Sequence, residues 1–487
     1  MSALDEIRAE RLRKLALLKE RGVDAYPPDS RSSHRIDQVL KNFDSLKESG
    51  ESITIGGRIK SLRLHGGSAF IDLYDGAGEI QAFLKKDTLG EEPYSLFTDT
   101  IDQSDFIEVT GTVFITKREE RSVLASSWRL LSKSIRPVPD EWFGLKDEDE
   151  RYRKRYLDIL LDEKVSTLVR KRSIFWNTMR QFLLVRDFIE VETPVLETTT
   201  GGADARPFVT HHNALDIDVF LRISAGELWQ KKLLVAGIPR TFEIGRIFRN
   251  EGMSHEHLQD YTQMEFYQAY ADYNDGMKMI VELYRDIALK TFGTQTFTIG
   301  NFNVDLGGNW ETYDYCALME KEFGFDPRDT TLPKVREILL KANPKAAEDS
   351  MITLERAVDT LWKIVRKTIG GPGFLINVPV YLEPLAKRSS KDDRVVERFQ
   401  ILIAGSEMGK GFTELNDPID QRERFTHQQA LREQGDNEAQ MNDETFIEAL
   451  EYGMPPAFGF GVSERLFSFL ANVSIREAQF FPLMRPK

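Results

Sequence analysis

Residues 240–270 read RTFEIGRIFRNEGMSHEHLQDYTQMEFYQAY, and this stretch says most about the fold. It holds two β-rich runs, RTFEIGRIF and YTQMEFYQAY, joined by a polar segment. In the second run Tyr261, Glu265 and Tyr267 alternate toward one face of a strand. Arg249 follows the first run directly, where a guanidinium can bind a phosphate through two parallel hydrogen bonds. The stretch predicts strands that carry polar chemistry on one face.

The surrounding sequence, residues 150–487, mixes long helical stretches with further β-rich segments. Examples are VFLRIS, GFLINVPVYL and FGFGVSERL. The regular strand–helix–strand alternation of a parallel sheet is missing from this pattern. It therefore predicts an α+β domain whose mostly antiparallel sheet is flanked by helices.

Residues 51–140 have a different character, with five short β-rich runs punctuated by glycines. This spacing predicts a five-stranded oligonucleotide-binding barrel (an OB-fold), although a sandwich or another barrel is compatible with the pattern alone. Residues 1–50 are predicted to form a helical extension, whose first helix occupies residues 4–22. The linker RPVPDEW contains two prolines and is predicted to end the barrel domain near residue 140.

Composition narrows the class of protein. The formal net charge of −13 disfavours a protein that coats nucleic acid without specificity. No apolar run is long enough for a membrane span, and a single cysteine, Cys316, excludes an internal disulfide framework. These features predict a cytoplasmic enzyme. Two local basic clusters are compatible with a nucleic-acid contact or with solvated helix faces, namely Arg8, Arg11, Arg13, Lys14, Lys19 and Arg21, and Arg151, Arg153, Lys154 and Arg155.

Three familiar catalytic signatures are incomplete or absent in the sequence. GSEMGKG at residues 405–411 is one residue shorter than a phosphate-binding P-loop, and Lys410 is followed by glycine. SHEHLQD places His255 and His257 around Glu256, but no further Cys or His cluster accompanies them, so a zinc site is not expected. There is no G-x-S-x-G nucleophile elbow.

The remaining polar candidates are distributed along the catalytic domain. GSEMGKGFTELND supplies Glu407, Phe412 and Glu414. GFGVSERL brings Arg465 after closely spaced glycines, which let a backbone and a ligand approach each other. Taken singly, each residue has a structural alternative, such as core packing for Phe412 or a surface ion pair for Arg249.

These motifs in combination resemble one family. FRNEG and the following strand with MEFY resemble motif two of class II aminoacyl-tRNA synthetases. The later glycine-rich strand that ends in ERL resembles their motif three. RDFIEVETPVL resembles their motif one, which forms the dimer. An OB-type barrel ahead of these motifs is typical of the aspartate, asparagine and lysine subclass. Within this subclass, the chain is similar to lysyl-tRNA synthetases over nearly its whole length. The segments that carry this likeness are RYRKRYLDIL, HHNALD, EPLAKR, TELND and FPLMRP.

The resemblance implies activation of L-lysine by ATP and transfer of the lysyl group to the terminal ribose of tRNA(Lys), in a homodimer. It places two catalytic arginines, Arg249 and Arg465, on the phosphates. Mg²⁺ is the expected cofactor, with Glu407 as the principal ligand and Gln400 beside it. The expected ATP-binding residues are Arg249, Glu251, His257, Tyr261 and Arg465.

Selectivity for lysine requires acidic groups at the far end of an elongated pocket, because a buried ammonium is costly unless it is paired. An aspartate-specific site would need a cation there, so the distal charges favour lysine over the aspartate and asparagine relatives. By resemblance the lysine-binding residues are Gly202, Ala203, Glu227, Arg249, Glu265, Tyr267, Lys410, Phe412 and Glu414. The resemblance also assigns anticodon binding to Arg58, Phe70 and Gln81, where an exposed aromatic stacks on a splayed base. Phe70 as ordinary barrel core is the structural alternative.

Four features depart from the family pattern. Lys410 replaces an asparagine near the substrate, where a second cation could bind a phosphate, repel lysine or occupy the acidic pocket. Gln400 replaces a glutamate expected to share Mg²⁺ with Glu407. SAGELWQ is one residue longer than the usual segment around Glu227, and Glu464 replaces an aspartate in a shortened closing motif. A paralogue that no longer charges tRNA is therefore a second hypothesis.

Overall fold

The computed structural model describes residues 3–139, 145, 147–252, 254, 257–348, 352–436 and 438–487. The chain divides into two units, residues 1–146 and 147–487. The boundary predicted near residue 140 falls on residues 140–144 and 146, which lie outside the described residues.

The first unit combines helices with a closed barrel. Its helices are α1 (Ala3–Glu20), α2 (Ile36–Lys41), α3 (Phe43–Ser49), α4 (Lys86–Leu89) and α5 (Glu91–Thr100). Its strands are β1 (Ile53–His65), β2 (Ser68–Tyr74), β3 (Glu79–Lys85), β4 (Phe106–Ile115) and β5 (Arg121–Ser132). The strands close in the order β1-β2-β3-β5-β4, which confirms the predicted five-stranded barrel and excludes a sandwich.

Alternation of apolar and polar residues along the strands explains the barrel's closure. In β2 the side chains of Ala69, Ile71 and Leu73 are fully buried in the interior. The residues between them, such as Phe70 and Asp72, are only partly buried. One face of each strand therefore forms the core, and the other face is left accessible.

The first basic cluster is largely bound to protein groups. Helix α1 ends two residues before Gly22, whose φ of 71° is the left-handed conformation that favours glycine after a helix. Arg11 is buried and donates to the carbonyl oxygen of Gln103 at 2.9 Å. Lys14 Nζ lies 2.6 Å from Asp102 Oδ1. Arg11 and Lys14 are therefore bound by protein groups, and a solvated helix face is the wrong prediction for these two residues.

The second unit contains most of the helices. They are α6 (Glu148–Arg153), α7 (Arg155–Leu161), α8 (Glu163–Leu184), α9 (Glu227–Val235), α10 (Tyr273–Phe292), α11 (Tyr315–Phe323), α12 (Leu332–Ala342), α13 (Pro344–Ala347), α14 (Leu354–Val365), α15 (Pro418–Glu433), α16 (Glu444–Glu451) and α17 (Arg465–Leu470). Short 3₁₀ turns occur at Arg366–Thr368 and Val380–Leu382. Within the described ranges, no helix has both the length and the apolar character needed to cross a bilayer.

The strands of the second unit form one large sheet and two small ones. They are β6 (Ile189–Glu190), β7 (Leu196–Glu197), β8 (Val209–His212), β9 (Ile217–Leu221), β10 (Arg240–Phe248), β11 (Asp260–Ala269), β12 (Thr296–Ile299), β13 (Phe302–Asp305), β14 (Glu311–Asp314), β15 (Gly373–Ile376), β16 (Arg398–Ile403), β17 (Ser406–Thr413) and β18 (Ala457–Ser463). The large sheet has eight strands in the order β14-β15-β16-β17-β18-β11-β10-β6. Its two outermost pairs are parallel and the five pairs between them are antiparallel. The predicted α+β class with a mostly antiparallel sheet is confirmed.

The second basic cluster is used in ion pairs within the second unit. Arg155 is 1% exposed and pairs with Asp158, which also accepts from Arg151 Nε at 2.8 Å. Arg153 and Lys154 form i,i+4 pairs with acidic residues on the preceding turn. These ion pairs lie at the start of the unit, and the buried Arg155 does not lie on a solvated helix face as the structural alternative predicted.

Candidate functional site

Adjacent strands of the large sheet place the site candidates in register on one face. Glu265 of β11 lies opposite Gly461 of β18, and Gly461 lies opposite Lys410 of β17. The next row, two residues along the strands, consists of Tyr267, Gly459 and Phe412. Because side chains alternate along a strand, both rows point to the same face of the sheet. We call it the site face.

Glycines of β18 leave the floor of the site face open. The intervening residues Phe458 and Phe460 are buried in the core beneath the opposite face. A Cβ at Gly459 would collide with the Glu414 carboxylate and the Tyr267 ring. Glycine is required here because polar side chains from the neighbouring strands lie directly over the backbone.

A bulge in β17 brings Glu407 onto the site face. Glu407 and Lys410 are three residues apart and would point to opposite faces of a regular strand. Gln400 pairs with Lys410 whereas Leu402 pairs with Glu407, so β17 has one extra residue between them. Gly409, at a φ of 134°, provides the backbone conformation for this bulge. GSEMGKG is therefore part of a bulged strand and not a phosphate-binding loop.

Buried carboxylates cluster at one end of the site face. Glu265 accepts hydrogen bonds from the backbone N–H of Ala225 at 2.9 Å, Gln263 Nε2 at 2.5 Å and Tyr267 Oη at 2.9 Å. Glu414 is 0% exposed, and no hydrogen-bond donor among the described residues reaches its Oε1. Burial raises the pKa of Glu265 to about 7 and that of Glu414 to about 8. These raised values reflect the lack of sufficient positive charge around the two carboxyls.

Lys231 is a member of this cluster that the motif comparison missed. Its Nζ lies 2.8 Å from Glu227 Oε1 and 2.5 Å from Glu414 Oε2. The signal was present in ELWQK, because residues four apart on a helix are neighbours and Glu before Lys is the favourable order. Its role could not be read from the sequence, since i,i+4 pairs are usually found on exposed helix surfaces.

The longer SAGELWQ segment is accommodated by a left-handed turn. Gly226 has a φ of 77° and immediately precedes Glu227, the first residue of α9. A Cβ at Gly202 would meet Ser224 Oγ and Glu227 Cβ at 2.7 Å each. Gly202 therefore lies beside Glu227, and the predicted contact of Gly202, Ala203 and Glu227 with the lysine α-amino group stays a prediction.

Two of the predicted ATP-binding residues lie together at the end of the β10–β11 pair. Arg249 donates from both Nε and Nη2 to the carbonyl oxygen of Ile223 at 3.2 Å, which fixes one edge of its guanidinium. Its Cζ lies 5.7 Å from the centroid of the Tyr261 ring. This stacking geometry orients a cation next to an aromatic surface.

The connection between β10 and β11 contains two further predicted ATP-binding residues. Glu251 and His257 are exposed there, and His257 Nδ1 lies 2.7 Å from Ser254 Oγ. His255 and Glu256, which belong to the SHEHLQD segment considered for zinc, lie outside the described residues.

Arg465 begins helix α17, directly after the glycine-rich strand β18. Its guanidinium lies 5.7 Å from the Phe469 ring, and burial lowers the pKa of Arg465 to about 10. The preceding Glu464 is fully buried, pairs with Arg172 of α8 and accepts from Gln479. Glu464 therefore anchors the turn that positions Arg465, which gives this departure from the family pattern a structural role.

Lys410 lies outside the carboxylate pocket. Its Nζ is 3.2 Å from Glu383 Oε2, and Glu383 is also paired with Arg398. Arg398 Nη2 donates to Gln400 Oε1 at 2.5 Å, while Gln400 Nε2 donates to the carbonyl oxygen of Gly409 at 3.2 Å. The amide oxygen of Gln400 is thus engaged by a guanidinium, which argues against the predicted role of Gln400 as a metal ligand.

The three anticodon candidates share the outer face of the barrel. Phe70 lies opposite Phe83, and the two rings stack with centroids 4.3 Å apart. Gln81 lies one row along and accepts from Ser122 Oγ at 3.1 Å. The Arg58 guanidinium lies over the Phe106 ring, 4.3 Å from its centroid. Because Phe70 is outside the barrel, the alternative of a core phenylalanine is wrong.

Comparisons with known proteins agree with this architecture. The family described as tRNA synthetases class II (D, K and N) matches residues 147–485, and an OB-fold nucleic acid binding domain matches residues 53–131. A protein named Lysine--tRNA ligase from Roseiflexus castenholzii is 42% identical over 489 residues, covering 99% of both chains. Proteins of the same name from Carboxydothermus hydrogenoformans and Thermotoga maritima are 41% and 39% identical and cover 99% of this chain, with 99% and 97% of their own lengths matched. The chain belongs to the class II tRNA synthetases of the D, K and N group.

Proposed function

We propose that this chain activates L-lysine with ATP and transfers the lysyl group to the 3′-terminal ribose of tRNA(Lys). The carboxylate pocket of Glu227, Glu265 and Glu414 carries the proposal, because its charge suits an ammonium ligand. Lys231 neutralises one of the three carboxylates, so the pocket stays acidic and disfavours aspartate. The names of the relatives matched over the full chain support the same substrate.

In this proposal the lysine carboxylate attacks the α-phosphorus of ATP, and the bond to pyrophosphate breaks on the opposite side. Arg249 neutralises charge on the α-phosphate and the lysine carboxylate, and Arg465 receives the terminal phosphate. Tyr261 packs beside the adenine, with Glu251 and His257 near the nucleotide. The terminal ribose hydroxyl of tRNA then attacks the lysyl carbonyl, and AMP leaves. Most of the rate enhancement comes from positioning and electrostatic stabilisation.

Glu407 fits the Mg²⁺ expected to accompany ATP. Its half-buried carboxylate lies on the site face, where Trp362 Nε1 donates to Oε1 at 2.8 Å. Hard cations prefer such oxygen ligands and bind with only one or two protein carboxylates when phosphates supply the rest. No three Asp, Glu, His or Cys side chains converge on one point in the part of the chain described. When bound, the ion would neutralise charge on the phosphoryl oxygens.

The proposed function is tested by amino-acid-dependent ATP–pyrophosphate exchange with each standard amino acid, without and with tRNA. Exchange with lysine alone, followed by charging of tRNA(Lys), is the expected result. Exchange with aspartate or asparagine would overturn the charge argument. Silence with every amino acid would favour the non-charging paralogue.

Lysine binding should strengthen as pH rises through the range in which the pocket titrates. The groups facing one another are Glu227, Lys231, Glu265, Tyr267 and Glu414. Burial raises the pKa of Glu265 to about 7 and of Glu414 to about 8, so both carboxyls take up protons as pH falls through these values. The substrate ε-ammonium stays charged throughout, because an unperturbed lysine side chain has a pKa of about 10.4. Calorimetry in buffers of different ionisation enthalpy should detect proton release on lysine binding at neutral pH. An affinity that is constant between about pH 6.5 and 8.5 would contradict this.

We also propose that the outer face of the barrel reads the anticodon through Arg58, Phe70 and Gln81. Phe70→Ala should lower kcat/KM for tRNA by ~10-fold or more, since stacking on a base contributes about 1–3 kcal/mol. Lysine-dependent exchange without tRNA should not change. Leu64→Ala, at an exposed residue of the neighbouring strand, is the control. Equal effects of the two variants would argue against base stacking.

We further propose that the chain forms a homodimer through the segment that resembles motif one. Exposed apolar residues are concentrated in and beside this segment, including Val185 at 72%, Ile189 at 53% and Leu196 at 48%. Ile189→Asp should shift the sedimentation coefficient toward that of a monomer. Leu340→Asp, at an exposed site on α12, should not. A wild-type chain that sediments as a monomer at micromolar concentration would exclude this dimer. We place the enzyme in the cytoplasm, where tRNA is charged for translation.

A further inference from the structure

The carboxylate pocket is enclosed around an ammonium group of the protein itself. Lys231 is 0% exposed and its Nζ bridges Glu227 and Glu414. Three aromatic rings complete the enclosure, those of Phe412, Tyr267 and Phe446, with centroids 5.3, 5.9 and 5.9 Å from Nζ. Burial alone would lower the pKa of Lys231, but the two carboxylates outweigh it and raise the pKa. Lys231 is therefore charged in the folded protein.

The two oxygens of Glu414 face different surroundings. Oε2 forms an ion pair with Lys231 Nζ at 2.5 Å, although the two groups are not aligned for a hydrogen bond. Oε1 lies over Gly459 on the site face, where a Cβ would collide with it, and no donor in the described residues reaches it. A buried carboxylate oxygen without a hydrogen-bond donor is energetically unfavourable, so Oε1 is suited to a donor that a ligand supplies.

Lys231 does not substitute for the substrate ammonium. Glu265 accepts its hydrogen bonds from the neutral donors Ala225, Gln263 and Tyr267 and has no ion pair with Lys231 within 4.0 Å among the described contacts. The Glu265 carboxylate and Glu414 Oε1 together remain as acceptors on the site face. The resident ammonium and an incoming one can therefore share Glu414 from opposite sides.

The pocket charge is matched by an amino acid with two ammonium groups, whose carboxylate is received by Arg249 outside the pocket. In the lysine complex, where all three carboxyls are ionised, the carboxylates and the resident ammonium leave two negative charges, and lysine brings an α-ammonium and an ε-ammonium. A neutral side chain of the same length, as in norleucine, offers no charge to the Glu265 and Glu414 carboxylates, so one of them stays protonated or uncompensated and the ion pair that holds lysine is lost. Without Lys231, even lysine would leave a negative charge in the pocket.

We infer that Lys231 is a positioning and specificity residue of lysine recognition. It bridges Glu227 and Glu414, which receive the α-ammonium and the ε-ammonium of the substrate, and it sets the pocket charge that lysine neutralises. This inference rests on the proposed activation of lysine. It assigns no chemical step to Lys231.

The test replaces the charge while keeping the length of the side chain. Lys231→Met should raise the lysine KM in pyrophosphate exchange on the order of 10–100-fold, with the ATP KM unchanged. The pH at which lysine binding improves should move upward, because the carboxylates lose their resident cation. Lys232→Met is the matched control: it is the next residue, and its Nζ contacts Thr445 Oγ1 at 2.8 Å. The control should match the wild type in both readouts.

If Lys231→Met has the same lysine KM and the same pH profile as the wild type, the inference is overturned, even if the thermal stability of the variant is lower. If Lys231→Met does not fold, a structure of the unmodified enzyme with lysine bound decides. We expect Lys231 to remain on Glu227 and Glu414, with the substrate ammonium on Glu414 Oε1 and Glu265, whereas displacement of Lys231 by the substrate would contradict the inference. Failure of lysine-dependent exchange in the wild type would instead reject the proposed function itself.

Discussion

Arg249→Gln is expected to lower kcat for lysine-dependent pyrophosphate exchange by ~10²–10³-fold, the usual effect of removing one preorganised donor from a developing oxyanion. Arg249 is the candidate best prepared for that role. Two of its donors are held by the Ile223 carbonyl, and its guanidinium lies against Tyr261. Glutamine keeps hydrogen-bonding capacity but removes the positive charge, so the loss measures electrostatic stabilisation of the transition state.

The matched control is Arg246→Gln on the same strand. Arg246 is paired with Asp260, and its position in β10 places it on the face opposite the site. This variant should retain kcat within about threefold, since surface ion pairs contribute at most ~1 kcal/mol to stability and none to the reaction. Equal losses in the two variants would mean that Arg249 acts through the strand and not on the phosphates.

Glu414→Gln is expected to raise the lysine KM by ~10²-fold, because hydrogen bonds to charged groups contribute about 1.5–3 kcal/mol. The amide has nearly the same shape but cannot carry the charge that binds an ammonium. Discrimination between lysine and norleucine should fall with it, whereas the ATP KM should not change.

Glu423→Gln, at an exposed position on α15, controls for a general loss of one acidic group. Thermal unfolding separates binding from stability, because Glu414→Gln also removes one partner of the buried Lys231. A variant that folds and keeps the wild-type lysine KM would remove Glu414 from the recognition site. Discrimination against norleucine would then have to arise at Glu265 alone.

Several expectations depended on local pattern and were confirmed for that reason. In SAFIDLY and the other barrel strands, apolar and polar residues alternate, because side chains two residues apart lie on the same face of a strand. The strands, and from them the barrel, could therefore be predicted from the sequence. The α+β class followed from β-rich runs that lack regular helical crossovers. Local pattern could not decide the role of the two basic clusters. Whether Arg155 or Arg11 is exposed to solvent depends on hydrogen-bond partners that are distant in sequence.

Residue types and their spacing thus determined the barrel, the antiparallel sheet and the family, all of which depend on short-range periodicity and motif order. Tertiary structure alone decided which side chains meet. The bulge at Gly409 places Glu407 and Lys410 on one face although their spacing predicts opposite faces. Lys410 pairs with Glu383, and Lys231 occupies the carboxylate pocket. The physical reason is that electrostatic pairing depends on distance and burial, and both are set by the packing of segments far apart in the chain.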